Sequence, residues 1–262
     1  MIVCKWCRSQ VKFGKGPQAV PEWRRWQCED CGAIGYQKVP ATDELSAIYK
    51  AAWHDSTKAG KFASGSTSEA IADSIVSVMT DDLDLGSCLD YGGGKGLLAK
   101  SLCKKGAFEI YVIEPFGSDP KIPQVVWLSD LADLPSGKKF DWVFMVEVIE
   151  HLLDPVYELA KIREYLKPTG KLVITTPNSK GWRARLGRAN WREAQNPTHI
   201  NLFSLTALRT CLQRAGFAQV NRVRKPVRYN ATGLSEIILA VTQMIGIDGG
   251  LRVVASLPKG KK

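Results

Sequence analysis

The sequence lacks a hydrophobic run long enough to cross a membrane. A membrane-spanning helix needs about 20 mostly apolar residues, and the most apolar stretch, Gly233–Ile247, is interrupted by Glu236, Thr242 and Gln243. We expect an amphipathic helix there, packed against the core or a partner, with weak membrane-surface contact as the alternative. Residues 1–11 already contain two cysteines and basic side chains, so we expect no signal peptide.

Acidic residues are almost missing from one part of the chain. Residues 179–228 contain eleven Lys or Arg and a single acid, Glu193, and this local excess equals the net charge of +10 of the whole 262-residue chain. The basic residues are Lys180, Arg183, Arg185, Arg188, Arg192, Arg209, Arg214, Arg222, Arg224, Lys225 and Arg228. Such a basic stretch suits phosphate or another anion in a substrate. The alternative is a solvated basic surface.

Cysteines divide into an isolated set and a paired set. Cys88, Cys103 and Cys211 are isolated in apolar contexts, which is typical of small buried side chains and favours a reducing, cytoplasmic location. The four paired cysteines have the spacing C-x2-C-x20-C-x2-C and are Cys4, Cys7, Cys28 and Cys31. Two such turns supply the tetrahedral sulfur set that Zn²⁺ prefers. The pattern predicts a structural zinc ribbon over residues 1–40.

The ribbon also contains aromatic and basic side chains. They are Trp6, Trp23, Arg24, Arg25 and Trp26. Two interpretations are open: a substrate-contacting surface, or packing of a module that has few other apolar residues.

An alternation of strands and helices follows the ribbon. Helical stretches are predicted around Asp43–His54 and Ser68–Met79, so residues 41–82 form a helical lid or linker. Short apolar runs then recur in SCLDYGGGKG, EIYVIEP, VVWLSDLADLP, FDWVFMV and GKLVITTPN, separated by helix-length segments. This order predicts an α/β domain over residues 83–262 with a doubly wound, mostly parallel sheet and a ligand site at the carboxyl ends of the strands.

Several of these motifs occur together in the order of one enzyme class. LDYGGGKG, VIEP, SDLADLP, FDWVFMVEVIEHLLDP and LKPTGKLVITTPN resemble the class I methyltransferases that use S-adenosylmethionine (SAM). The resemblance implies a seven-stranded Rossmann-like sheet and SAM as cofactor. It implies that Asp90, Gly92 and Gly94 border the methionine part of SAM and that Glu147 approaches the same end. Glu114 would bind the ribose. Asp130 and Leu131 would lie by the adenine.

Three ionisable residues, Glu147, Glu150 and His151, lie within five positions just after the FDWVFMV run. On a helical turn, positions i, i+3 and i+4 share one face. With His199, this pattern is similar to ubiquinone-biosynthesis O-methyltransferases and small-RNA 2′-O-methyltransferases. That resemblance implies that the four side chains bind Mg²⁺ or Mn²⁺. The alternatives are a histidine or Glu150 acting in acid–base catalysis without metal, and a merely structural role in positioning the next helix.

These features predict a SAM-dependent methyltransferase, acting by O-methylation on a small molecule or glycan. An RNA-modifying methyltransferase that uses the basic 179–228 stretch, with exposed Trp182 and Trp191 stacking on bases, is the second hypothesis. A non-catalytic module that binds SAM and zinc is the third.

Overall fold

The computed structural model describes residues 2–54, 68–81, 85–227 and 233–259. Its strands are β1 (Val11–Gly14), β2 (Arg25–Cys28), β3 (Ile34–Tyr36), β4 (Ser87–Tyr91), β5 (Glu109–Ile113), β6 (Val125–Leu128), β7 (Phe140–Val146), β8 (Leu166–Pro177), β9 (Asn201–Leu202), β10 (Gln219–Arg222) and β11 (Gly250–Ser256). Its α-helices are α1 (Thr42–His54), α2 (Glu69–Thr80), α3 (Leu97–Lys104), α4 (Pro155–Glu164), α5 (Trp182–Gly187), α6 (Arg192–Gln195), α7 (Leu205–Arg214) and α8 (Leu234–Ile245). Short 3₁₀ turns cover Leu131–Asp133, Ile149–His151 and Arg188–Asn190.

The main sheet has seven strands in the order β10-β11-β8-β7-β4-β5-β6. The neighbouring strands from β8 to β6 pair in parallel, whereas β11 is antiparallel to both β8 and β10. The predicted doubly wound, mostly parallel seven-stranded sheet is therefore confirmed. Because the parallel strands point the same way, the loops that follow β4, β5, β6, β7 and β8 meet at one edge, where ligands of such sheets bind.

Helices cover both faces of this sheet because side chains alternate along each buried strand. In β8, Leu172 and Ile174 belong to the core that includes α4 and α7, while Val173 belongs to the core that includes α2 and α3. Two packed layers thus hold the strand ends in fixed register. The site is therefore assembled from the ends of several neighbouring strands rather than from a single loop.

The N-terminal ribbon is joined to the main domain by a shared sheet. Strands β1, β2 and β3 form an antiparallel meander, and β3 continues it by pairing with β9, with Ile34 opposite Leu202 and Gly35 opposite Asn201. The Trp6 ring lies 5.3 Å from the Phe203 ring between centroids. The segment predicted over residues 1–40 therefore shares both hydrogen bonds and core with the chain around residue 200.

Helix α8 has an unusual orientation of its apolar residues. Gln243 is fully buried, and its side-chain amide forms hydrogen bonds with the backbone N–H and carbonyl of Val227. Six large apolar side chains of α8 are exposed: Leu234, Ile237, Ile238, Val241, Met244 and Ile245. Packing of this apolar face against the core, one of the two expected arrangements, does not occur among the described residues.

None of the helices in the described ranges combines the length and the hydropathy that crossing a membrane requires.

Candidate active site

The loop that joins β4 to α3 brings backbone N–H groups next to the end of β5. Gly92 N–H donates to the Ile113 carbonyl at 2.8 Å, and Gly94 N–H donates to the Glu114 carboxylate at 2.8 Å. Gly92 and Gly94 have φ angles of +80° and +57°, a region that residues with a Cβ rarely adopt. Glycine is thus what allows this loop to turn tightly against the next strand.

Two acids lie beside this loop. Asp90 is buried at the end of β4, and its Oδ2 is a buried oxygen without a hydrogen-bond partner among the described residues. Burial, with added repulsion from Glu114, raises the pKa of Asp90 to about 7. A buried carboxylate oxygen without a partner suits a ligand with a cationic or donor group, as SAM has. The structure therefore brings Asp90, Gly92, Gly94 and Glu114 together.

Asp130 and Leu131 follow β6 at the same edge. Asp130 is exposed and caps the 3₁₀ turn: its Oδ1 accepts from Ala132 N–H at 2.8 Å, and its own N–H donates to the Asp133 carboxylate at 3.1 Å. Leu131 is buried. This reciprocal cap fixes the loop, so the position of both residues is set by local hydrogen bonding.

The segment after β7 is not the α-helical turn that the Glu-x-x-Glu-His pattern suggested. Glu147 has a left-handed backbone with φ +54°, and only Ile149–His151 forms a 3₁₀ turn. Glu147 N–H donates to the Thr175 carbonyl, and the Thr175 hydroxyl donates to Glu147 Oε1, each at 2.9 Å. These two hydrogen bonds hold Glu147 against β8, although its side chain is exposed.

Glu150, His151 and His199 converge at this edge. One ligand atom from each lies within 4.8 Å of the others, and the imidazole centroids are 4.7 Å apart. Glu150 is fully buried; its Oε2 accepts the Thr176 hydroxyl at 2.8 Å, and its Oε1 has no hydrogen-bond partner among the described residues. Glu147 is not part of this group. The structure brings together three of the four predicted ligands.

Backbone carbonyls determine which nitrogen of each imidazole carries the proton. His151 Nδ1 lies 3.0 Å from the Thr198 carbonyl, and His199 Nδ1 lies 3.2 Å from the Glu193 carbonyl. A carbonyl only accepts, so both Nδ1 atoms donate and the neutral rings carry their lone pairs on Nε2. Burial lowers the pKa of His151 to about 4 and the pKa of His199 well below its usual value. These lowered pKa values favour the neutral imidazoles that metal ligation requires.

The four paired cysteines also converge. Cys4 Sγ lies 3.5 Å from Cys31 Sγ, Cys7 Sγ lies 3.4 Å from Cys28 Sγ, and all four sulfurs lie within 4.8 Å of one another. A tetrahedral ion with metal–sulfur bonds near 2.3 Å separates its sulfurs by about 3.8 Å. The spacing and the chemistry of this donor set fit zinc.

Some basic side chains of residues 179–228 bind other parts of the protein. Lys180 Nζ donates to the Asp30 carbonyl at 2.6 Å, and Arg222 forms an ion pair with Asp248 at 3.3 Å. Exposure of Trp191 was wrongly expected: it is buried in a small cluster with Ala184, Ala194 and Leu202. Trp182 is half-buried, and Arg228 lies outside the described residues. Exposed arginines remain at Arg183, Arg185, Arg188, Arg192, Arg209, Arg214 and Arg224.

Some residues of this site were missed from the sequence. Thr176 and Thr198 bind Glu150 and His151, and Arg25 binds the backbone of the His199 segment. Trp6, Trp26 and Arg25 are buried, so packing is the correct alternative for these three ribbon side chains. Their partners are distant in sequence, and no local pattern could have indicated them.

Comparison with known proteins indicates the family of the chain. A family model described as "Methyltransferase domain" matches residues 64–221. A tRNA U34 carboxymethyltransferase of Idiomarina loihiensis is 27% identical over 170 residues, covering 60% of this chain and 51% of that protein. A ubiquinone biosynthesis O-methyltransferase of Cereibacter sphaeroides is 29% identical over 156 residues, covering 51% of this chain and 61% of that protein. The chain thus spans between half and about three fifths of the length of these curated relatives.

Solved structures share the fold. A 1,6-didemethyltoxoflavin-N1-methyltransferase of Burkholderia thailandensis with bound S-adenosylhomocysteine has a TM-score of 0.57 at 14% identity, covering 88% of this chain and 99% of that one. The plantazolicin methyltransferase BpumL with S-adenosylhomocysteine has a TM-score of 0.54 at 13% identity, covering 82% and 96%. The family model covers more than half of the chain, so this protein belongs to the methyltransferase-domain family.

Proposed function

We propose that this protein is a SAM-dependent methyltransferase that methylates a hydroxyl oxygen of a small-molecule or glycan acceptor with the help of Mg²⁺ or Mn²⁺ held by Glu150, His151 and His199. The observation that carries the proposal is the Glu150 Oε1 atom, buried without a hydrogen-bond partner among the described residues, beside two imidazoles whose Nε2 atoms carry lone pairs. Carboxylate and imidazole ligands with room for further oxygens suit these ions.

The chemistry also favours metal ligation over histidine acting alone. An acceptor hydroxyl is a poor nucleophile, and a bound divalent cation would lower its pKa and orient it for in-line attack on the sulfonium methyl. His151, with a pKa of about 4, is a weak base at neutral pH. The carbonyls of Thr198 and Glu193 orient the two rings, and the Thr176 hydroxyl orients Glu150.

The cofactor site that we propose lies across the neighbouring strand ends. Asp90, Gly92 and Gly94 would border the methionine part of SAM and Glu114 its ribose, while Asp130 and Leu131 would border the adenine. The support is that the loops after β4, β5 and β6 meet at the same edge as the Glu150 cluster. We also propose that the four paired cysteines hold a structural zinc, because their sulfurs have the required spacing.

The test is transfer of labelled methyl from SAM into a fractionated cell extract, with and without a chelator. We expect Glu150→Gln and His199→Gln to lower the rate of methyl transfer at least about 100-fold. The Kd for SAM should stay within about twofold of the wild-type value. Glu164→Gln, an exposed position in α4, is the matched control. Chelator should abolish transfer and added Mn²⁺ restore it. Full transfer by both site variants would exclude the metal-assisted reaction.

RNA remains a second candidate acceptor. It is favoured by the relative named as a tRNA-modifying enzyme and by exposed arginines in and near α5, such as Arg183, Arg185 and Arg188. The same labelling experiment separates the two: nuclease-sensitive label indicates RNA, and nuclease-resistant label in small-molecule or glycan fractions indicates the first proposal. RNA binding should also weaken steeply with salt.

A further inference from the structure

Arg25 is a buried arginine of the ribbon whose guanidinium forms hydrogen bonds with the backbone of the segment that contains His199. It begins β2, three residues before the ligand Cys28, and is 5% exposed. Its Nη1 donates to the His199 carbonyl at 2.9 Å, and its Nη2 donates to the Asn196 carbonyl at 2.9 Å and the Tyr36 hydroxyl at 3.0 Å. One guanidinium therefore spans both ends of the 196–199 segment.

Tyr36 completes the connection from β3. Its hydroxyl donates to the Pro197 carbonyl at 2.8 Å, and its ring lies under the Arg25 guanidinium, 4.1 Å from the ring centroid to Cζ. Together the two ribbon side chains bind the carbonyls of residues 196, 197 and 199. These hydrogen bonds fix the orientation of the segment, because a planar guanidinium holds several acceptor atoms in a defined arrangement.

The segment that Arg25 holds also places the other imidazole. The Thr198 carbonyl accepts from His151 Nδ1, and Ile200 N–H donates to the Glu150 carbonyl at 2.8 Å. A shift of this segment would move His199 directly and His151 through its carbonyl partner. Both histidine ligands of the proposed cation site therefore depend on the same four-residue segment.

Burying Arg25 is costly for a purely structural purpose. Among the described residues no carboxylate forms an ion pair with it, and burial lowers its pKa. An isolated buried cation is destabilising unless its donors are satisfied. Here the two Nη atoms bind the His199 and Asn196 carbonyls and the Tyr36 hydroxyl, while the buried Nε has no hydrogen-bond partner among the described residues. An apolar side chain would join ribbon and domain at lower cost but would bind no carbonyl.

We propose that Arg25 is a positioning residue for the Glu150–His151–His199 site, which makes the ribbon part of the active centre. The inference rests on the proposed function of that site. It predicts that loss of the guanidinium disorders the two imidazoles and leaves the SAM loops, on the other strand ends, unaffected.

The experiment compares Arg25→Met with Arg25→Lys and with Lys12→Gln, which removes an exposed charge from the same ribbon. Mn²⁺ affinity is measured on the zinc-loaded chain by electron paramagnetic resonance, and SAM affinity by calorimetry. We expect Arg25→Met to weaken Mn²⁺ binding about 10- to 100-fold, with SAM affinity and zinc content unchanged. Arg25→Lys should recover part of the loss, because its ammonium still donates, and Lys12→Gln should match the wild type.

A second measurement needs no metal. The chain has three histidines, so the imidazole NMR signals of His151 and His199 can be assigned with single His→Gln variants. Arg25→Met should shift or broaden both signals. Absence of Mn²⁺ binding in the wild type would contradict the proposed metal-assisted function, while these signals would still decide the role of Arg25.

Unchanged imidazole signals in folded, zinc-loaded Arg25→Met would overturn the inference. If that variant does not fold, Tyr36→Phe replaces it, because it removes the hydroxyl bound to Pro197 and keeps the ring. Shifted His199 signals in Tyr36→Phe would support the inference, and signals identical to those of the wild type would reject it.

Discussion

At the residue scale, the buried Asp90 carboxyl should make stability depend on pH. Its pKa is about 7 in the folded chain against 3.8 ordinarily, so the folded state binds the proton more tightly. The protonated Asp90 carboxyl therefore contributes to the stability of the folded chain below pH 4. This contribution is lost as the pH rises to about 7. We expect Asp90→Asn to be more stable than the wild type at pH 8, by roughly 2–4 kcal/mol in the SAM-free protein.

Chemical unfolding of both proteins at pH 4.5 and pH 8 measures this difference. Asp30→Asn, at an exposed position of the ribbon, is the control and should leave the pH dependence unchanged. If Asp90→Asn kept the full loss of stability between these pH values, Asp90 would not be the group responsible. The same variant should weaken SAM binding, because it removes the carboxylate that we place beside the cofactor.

At the element scale, the loop between β4 and α3 should tolerate no side chain at Gly92. A Cβ there would lie 2.5 Å from Val148 Cγ2, on a backbone with φ +80°. Gly106, with φ +83°, has the same backbone without the contact, since a Cβ at that position would meet no atom within 4 Å. We expect Gly92→Ala to lower SAM affinity at least tenfold, and Gly106→Ala to lose only about 1 kcal/mol of stability.

Calorimetric SAM binding and thermal unfolding of both variants separate the two effects. Equal SAM affinities in Gly92→Ala and Gly106→Ala would show that the approach of the loop to Val148 does not matter for binding. The comparison works because both substitutions carry a similar backbone penalty.

The same scale shows what the sequence can predict. Each main strand from β4 to β7 is a short apolar run bounded by turn residues, so its existence follows from local composition. Ser204 caps α7, as expected for a serine just before a helix. The conformation of Glu147 does not follow, because a left-handed backbone at a non-glycine residue is imposed by Thr175 on β8. Strand β9 has two residues, too few for any periodic signal.

At the scale of the whole molecule, long-range contacts decide the site. The cysteine spacing predicts the zinc ligands, since local turns present them, but the contact between His151 and His199 spans 48 positions and depends on tertiary packing. The pairing of the ribbon strand β3 with β9 likewise cannot be predicted from the sequence. The sequence thus indicates which residues are chemically able to act, and the fold decides which of them meet.

Because the ribbon shares its sheet and core with the main domain, the two should unfold together. Ser179 Oγ donates to the Gly32 carbonyl at 2.6 Å, and the Arg214 guanidinium donates to the Trp6 carbonyl at 2.9 Å. Cys31→Ser should lose the proposed zinc and destabilise the whole chain by at least about 3 kcal/mol, lowering Tm by roughly 6–12 °C. Cys103→Ser, outside the ribbon, should retain zinc.

Scanning calorimetry with zinc analysis tests this coupling. One cooperative transition, moved to lower temperature in Cys31→Ser, is expected because β3 cannot separate from β9 without exposing Phe203 and the His199 segment. Two transitions in the wild type, with only the first affected by Cys31→Ser, would mean that the ribbon folds independently. In that case Arg25 could not hold His199 at temperatures where the ribbon has already unfolded, and Mn²⁺ binding should disappear with the first transition.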